Sequence, residues 1–192
     1  MSTAEQYNLV SVEEYLEAEL LSPIRHEYIG GVVYAMSGSK NVHSLVSTNT
    51  TVALGVRLRG SRCRAYNSDT KIRIRHPNHT RFYYPDVSVI CHSNPPGDSY
   101  QDHPKVIVEV LSDSTRRVDM GEKSQSYFTL PSLEVYILIE PEIPLLIVYR
   151  RREHEFEREV IEGRDSILSL PEIGVELPFE EIYDGVDLSE NS

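Results

Sequence analysis

Val106-Ile-Val-Glu-Val-Leu111, followed at once by Ser112-Asp-Ser-Thr115, is the stretch that decides the fold. Six residues rich in β-branched side chains read as a buried central strand, because a strand covered on both faces needs no polar alternation. The Ser-Asp-Ser-Thr run has the side-chain oxygens of a helix N-cap, and the helix expected after it runs to about Thr129 and stops at Pro131. Strand, cap and helix in that order make an α/β unit. One residue in it does not fit a plain core strand. A carboxylate at Glu109, inside an apolar run, carries a large desolvation cost unless a cation meets it.

Working outward, Ser11-Val-Glu-Glu14 has capping-box spacing and opens a short helix that ends near Ser22-Pro23. The stretch His26–Met36 reads as one or two strands with a turn or bulge at Gly30-Gly31, and Asn41–Leu58 returns apolar residues near the helical period. Cys63–Arg75, which alternates in the strand manner at Lys71–Arg75, and Phe82–Cys91 read as a hairpin about the His76-Pro-Asn-His79 turn, and Asn94–Asp98 as a loop. Strands are expected at Val135–Ile139, Leu145–Arg151, Phe156–Ile161 and Ile167–Leu170, then a short helix near Phe179–Tyr183. One mixed sheet flanked by helices accounts for this order, in a single domain 1–192 with its ordered core at about 10–182 and a frayed acidic tail at Asp187–Ser192. No internal repeat, linker or low-complexity tract interrupts it.

The 192 residues suit one domain, and 40% hydrophobic with 26% charged residues is a soluble globular balance. The longest apolar stretches fall far short of the roughly 20 residues of a membrane span. Met1–Val10 lacks the regions of a signal peptide, so a cytoplasmic location and no membrane partner are expected. Cys63 and Cys91 read as inert core or strand residues without zinc-site spacing. A formal charge of -11 counts against a passive nucleic-acid binder and makes DNA a contested partner, although cations held at a site can reverse the local field. Arg57, Arg59, Arg62, Arg64, Lys71, Arg73 and Arg75 do cluster, which a solvated helix end and strand face explain slightly better than a nucleic-acid groove.

Asp86, in Tyr84-Pro-Asp-Val87, is the natural companion of Glu109, because Pro85 removes a backbone donor and marks a sheet edge or mouth. Alone it would read as a solvated strand-start acid. Two carboxylates from neighbouring strands suffice for Mg²⁺ or Mn²⁺, which keep several waters. Lys123, two turns into the expected helix, can point back over the strand end to orient water or offset phosphorane charge, with Asp119 four residues earlier. The competing reading of Lys123 and Asp119 is an exposed i,i+4 pair, and of Glu109 a structural ion pair.

His26-Glu-Tyr-Ile-Gly-Gly-Val32, His43, Tyr84-Pro-Asp86, Val108-Glu-Val-Leu-Ser112 with Ser114-Thr115, and Asp119 through Lys123 to Tyr127 together resemble the Uma2 family (DUF820), of the restriction-endonuclease-like PD-(D/E)XK superfamily. The resemblance covers about Val10 to Ile182. It implies a four-stranded mixed-sheet core carrying additional strands, Asp86 and Glu109 as metal ligands and Lys123 as the catalytic lysine. It marks Glu27 as a further acid, while Asp119, His43 and Asp69 stand behind the site as supporting candidates. The superfamily lysine expected two residues after the glutamate is Leu111 here, so Lys123 must reach the gap from the helix. A Mg²⁺-dependent endonuclease acting on DNA, as a homodimer, is the first expectation. A non-catalytic scaffold or nucleic-acid-associated binding module on the same fold is the alternative, and the acidic charge favours it modestly.

Overall fold

A computed structural model describes residues 9–153 and 155–188. The Ser11 capping box is present, its hydroxyl accepting from the Glu14 N–H, and it starts α1 (Val12–Leu21). Strands β1 (His26–Ile29) and β2 (Val32–Ala35) form a hairpin whose two turn residues, Gly30 and Gly31, have φ of 57° and 101°. Glycine takes both angles without strain, and the second in particular suits a residue with no Cβ. Helix α2 (Asn41–Arg57) follows, then β3 (Arg64–Asn67), β4 (Lys71–Arg75), β5 (Thr80–Tyr83) and β6 (Val87–Ile90). The short β7 (Tyr100–Gln101) precedes β8 (Pro104–Val110), the apolar strand that carries Glu109.

The expected long helix after β8 is built in three parts. Helix α3 (Arg116–Val118) passes into a π-helical turn, Asp119–Lys123, and then into α4 (Ser124–Phe128). Thr115 makes no side-chain cap; instead the Ser112 hydroxyl accepts from the Thr115 N–H at 3.2 Å. The chain ends with β9 (Val135–Ile139), β10 (Leu145–Arg152), β11 (Glu155–Glu162), β12 (Ile167–Leu170), β13 (Val175–Pro178) and α5 (Phe179–Ile182).

Among the described residues the strands form three sheets rather than the one expected. A six-stranded mixed sheet runs β11-β10-β9-β8-β6-β3, a five-stranded sheet β2-β1-β5-β4-β7, and β12 pairs with β13. The continuous strand expected over Phe82–Cys91 is the reason for the miscount. It breaks at Tyr84-Pro85-Asp86, so β5 completes its hairpin with β4 in one sheet while β6 enters the other, antiparallel to β8. Proline cannot donate to a ladder, and here it marks where the chain changes sheets.

Strand periodicity sorts β8 across two cores. Val106, Val108 and Val110 pack on the side of α2, α5 and the β12–β13 pair, whereas Ile107 and Leu111 face the five-stranded sheet with Tyr83, Tyr127 and Tyr136. Glu109 shares the second face. A third cluster of Tyr15, Tyr28 and Phe82 seats α1 on the five-stranded sheet. The tail expected to fray at Asp187 begins instead with a buried Leu188, whose carbonyl accepts from Arg164; positions 189–192 lie outside the described residues.

The two cysteines are more than inert neighbours: Cys63 and Cys91 are joined by a disulfide. Arg64 pairs with Ile90 across β3 and β6, so the cysteines one step further face each other, a relation that linear spacing conceals. No helix among the described residues is long and apolar enough to cross a membrane.

Most of the clustered arginines serve the fold. Arg57 pairs with Glu181, and Arg73 clasps Asp102 through two hydrogen bonds of 2.8 and 2.7 Å. Burial alone would raise the Asp102 carboxyl, but hydrogen bonds from Arg73 and Asn94 outweigh it and hold it below the ordinary 3.8. This contribution is complete above pH ~4 and is lost as the pH falls through the lower folded value. Asp102→Ala is expected to cost about 2 kcal/mol in a urea titration at pH 7, because the mostly buried Arg73 loses its partner. That loss shrinks as the pH falls below the ordinary aspartate range, and a loss undiminished in strong acid would contradict the assignment.

Candidate active site

Six polar side chains, Asp86, Glu109, Lys123, Glu27, Asp119 and His43, meet where the Tyr84-Pro85-Asp86 crossover passes the end of β8. Asp86 is held from both directions. Its Oδ2 accepts from the Val110 N–H at 2.8 Å, and its own N–H points to Glu109 Oε2 at a long 3.4 Å. The crossover is pinned behind by a buried chain in which Lys71 Nζ donates to the Tyr84 hydroxyl at 3.2 Å and that hydroxyl donates to Glu19 Oε1 at 2.9 Å. Val87 pairs with Val108, so the residues one step back along β6 and forward along β8, Asp86 and Glu109, stand side by side.

Lys123 enters from the π-helical turn. Its Nζ lies 3.0 Å from Glu109 Oε1, 3.2 Å from Glu27 Oε1 and 3.6 Å from Asp119 Oδ1. The amine, Glu109 and Asp119 are all buried, their side chains 8%, 4% and 4% exposed. The alternative of a solvated i,i+4 pair on a helix face is therefore wrong for Lys123 and Asp119. A π turn adds a residue to each backbone ring and shifts the side chains around the axis. Here both members of the pair face inward. Tyr83 offers its ring 5.5 Å from the amine, and the Tyr127 hydroxyl, at a long 3.4 Å, is directed at Glu109 Oε1. Tyr127 was within reach of sequence reasoning, since it stands four residues after Lys123.

Burial pushes the Glu109 carboxyl well above the ordinary glutamate range; the Lys123 charge opposes this, and Asp119 and Asp86 add to it. For Lys123, burial works against the charged form, but Glu109 and Glu27 outweigh it and hold the amine well above the usual lysine range. The directions agree on a cationic amine surrounded by a surplus of acids. Glu27 Oε1 is in ion-pair range of the amine yet has no hydrogen bond of proper angle, and His43 Nδ1 is also buried without a partner. His43 Nε2 lies 3.3 Å from Asp86 Oδ2. Burial lowers its basicity, but Asp86 more than compensates and raises it. Asp69 sits apart from these groups, 75% exposed on the turn after β3 and paired with Arg25.

Asp86, Glu109 and Lys123 floor a groove of about 770 Å³ whose walls come from α2, the segment before it, and the Ser112–Thr115 segment. Asp86, Glu109, Asp119, Lys123 and His43 all line it. Among the described residues, no three His, Cys, Asp or Glu side chains converge as a ready-made metal cage. A hard cation that keeps most of its waters needs only one or two carboxylates, and two adjacent ones are present in Asp86 and Glu109. The donor set fits Mg²⁺ or Mn²⁺ and does not fit a soft metal.

The family model described as "Uma2: Putative restriction endonuclease" matches residues 12–180. The chain belongs to the Uma2 family. An uncharacterized Synechocystis protein is 32% identical over 178 residues, covering 92% of this chain and 93% of that protein. A second uncharacterized Synechocystis protein is 28% identical over 135 residues, 69% of this chain and 75% of its own. A crystal structure from Anabaena variabilis, described as "a putative nuclease belonging to DUF820", superposes with a TM-score of 0.68 at 19% identity, covering 87% of this chain and 96% of that one. At that identity the likeness carries the fold, and the Uma2 chain is an α/β protein with a restriction-endonuclease-like mixed sheet flanked by helices.

Proposed function

We propose that this Uma2 protein is a divalent-metal-dependent endonuclease that hydrolyses phosphodiester bonds in DNA, with Asp86 and Glu109 as the residues that hold Mg²⁺ or Mn²⁺. The observation that carries this reading is the meeting of Asp86, Glu109 and the Lys123 amine on the floor of one groove, with Nζ at 3.0 Å from Glu109. When bound, the ion polarises a phosphoryl oxygen and makes its water more acidic.

The remaining work falls to the chain. Three carboxylates within 3.0–3.6 Å keep the Lys123 amine a cation, so it stabilises developing negative charge and orients a water by donation rather than by taking a proton. The Val110 N–H fixes one Asp86 oxygen, which leaves the other for a ligand. His43 meets that same Asp86 oxygen, and Glu27 and Asp119 hold the amine in place. Glu27 serves as a holder of Lys123 and only secondarily as a metal ligand, and Asp69 takes no part in the chemistry. Cutting both strands of a duplex calls for two such sites, which a homodimer would supply.

Supercoiled plasmid incubated with the protein and Mg²⁺ or Mn²⁺ tests the reading. Nicking is expected with the ion and is expected to fall by at least ~10²-fold in Asp86→Ala, Glu109→Ala and Lys123→Ala. A wild type that neither cleaves nor binds the ion would leave a non-catalytic module on this fold.

A further inference from the structure

The groove above the acids has an unusual lining. Ser or Thr supplies ten of its twenty-four lining residues, and Tyr84 is the one aromatic side chain among them. Hydroxyl donors suit phosphate and sugar oxygens, whereas base recognition in unpaired strands relies on aromatic faces. Apart from Lys123, two lining residues carry full positive charge, Arg25 and Lys40. They mark separate points of the rim: Arg25 beside the turn after β3, Lys40 beside the Ser112–Thr115 segment. Each is covered by an exposed acid. Arg25 Nη1 lies 3.1 Å from Asp69 Oδ1 and also donates to Ser68, and Lys40 Nζ lies 3.2 Å from Asp113 Oδ2.

We propose that Arg25 and Lys40 are a two-point clamp for the phosphodiester backbone, masked in the free protein by Asp69 and Asp113, which DNA must displace as it enters. This inference rests on the nuclease reading of the same groove and adds the residues that hold the substrate. It also accounts for how a chain with net charge -11 can engage a polyanion without a basic face. Two cations at the rim replace the patch. Because they meet backbone and not bases, the grip carries little sequence preference.

Binding of a fluorescein-labelled 20-base-pair DNA duplex, followed by anisotropy at fixed Ca²⁺ and varied NaCl, tests the clamp. Two phosphate contacts give a log–log salt slope of about -1.8, which falls to about -0.9 in Arg25→Gln or Lys40→Gln. Exposed ion pairs are weak, so Asp69→Asn and Asp113→Asn are each expected to tighten binding about two- to fivefold. The gain from Asp113→Asn vanishes when Lys40→Gln is also present, and that from Asp69→Asn when Arg25→Gln is. As a control, Glu157→Gln on β11 releases the exposed Arg152 at the end of β10, away from the groove lining, and should change affinity by less than any of these. Gains that persist without the matching cation, or that Glu157→Gln reproduces, would overturn the clamp while leaving plasmid nicking intact. A wild type that neither binds the duplex nor nicks plasmid would remove the nuclease reading and the clamp with it.

Discussion

Glu109→Ala is expected to abolish metal-dependent nicking and to lower stability by about 2–3 kcal/mol at neutral pH. The activity loss follows from removing one of two carboxylates available to the ion, a change of at least ~10²–10³-fold. The stability loss has a different origin. Deleting one partner of a fully buried ion pair generally costs about 3–5 kcal/mol, because the surviving charge stays buried without compensation. Lys123 keeps Glu27 at 3.2 Å and Asp119 at 3.6 Å, so the loss should sit below that range. Glu109→Gln separates the two effects. It keeps the volume and an oxygen that can accept from the amine, so most of the stability should return while nicking does not. Denaturant midpoints and plasmid assays on both variants provide the check. If Glu109→Gln nicks like the wild type, the carboxylate is structural.

Lys123→Met should produce the opposite coupling to metal. Methionine matches the length and apolar stem of lysine but leaves Glu109, Glu27 and Asp119 facing one another without a cation. The variant is expected to lose nicking by ~10²-fold or more and to melt below the wild type in EDTA. Added Mg²⁺ should then recover stability. An ion present at 100 times its dissociation constant stabilises the folded state by about 2.7 kcal/mol, and the variant, having lost its internal cation, should reach that regime at lower Mg²⁺ than the wild type. Thermal melts across a Mg²⁺ series decide it. Equal Mg²⁺ sensitivity in both proteins would mean that the acids around the amine do not share a site with the ion.

Much of this site could be read in the sequence because its signals are local. A glutamate inside Val106–Leu111 is conspicuous against its neighbours, and Pro85 beside Asp86 is conspicuous for its missing donor. Capping and hairpin chemistry likewise gave α1, the Gly30-Gly31 turn and the β4–β5 pair. What stayed hidden depends on contacts across the chain. The division into separate sheets turns on which strand accepts β6 after the proline, and a proline signals a break without naming the new partner. The Cys63–Cys91 bond depends on the β3–β6 register, and the inward turn of Asp119 and Lys123 on a π-helical insertion that helical propensity does not report. Strands β7 and β13 are too short, or too near glycine and proline, to announce themselves. Asp69 shows the converse error: an acid near a candidate site in sequence belongs, in space, to the groove rim.

The central claim is that Asp86 and Glu109 share one divalent cation beside the Lys123 amine. Crystals soaked in Mn²⁺ and measured at a wavelength where manganese scatters anomalously test it most directly. A single strong anomalous peak is expected about 2.1 Å from an oxygen of each carboxylate, absent in Asp86→Ala crystals treated alike. An empty site at saturating Mn²⁺, with Glu109 still closed on Lys123 and Asp86 still closed on the Val110 N–H, would contradict it.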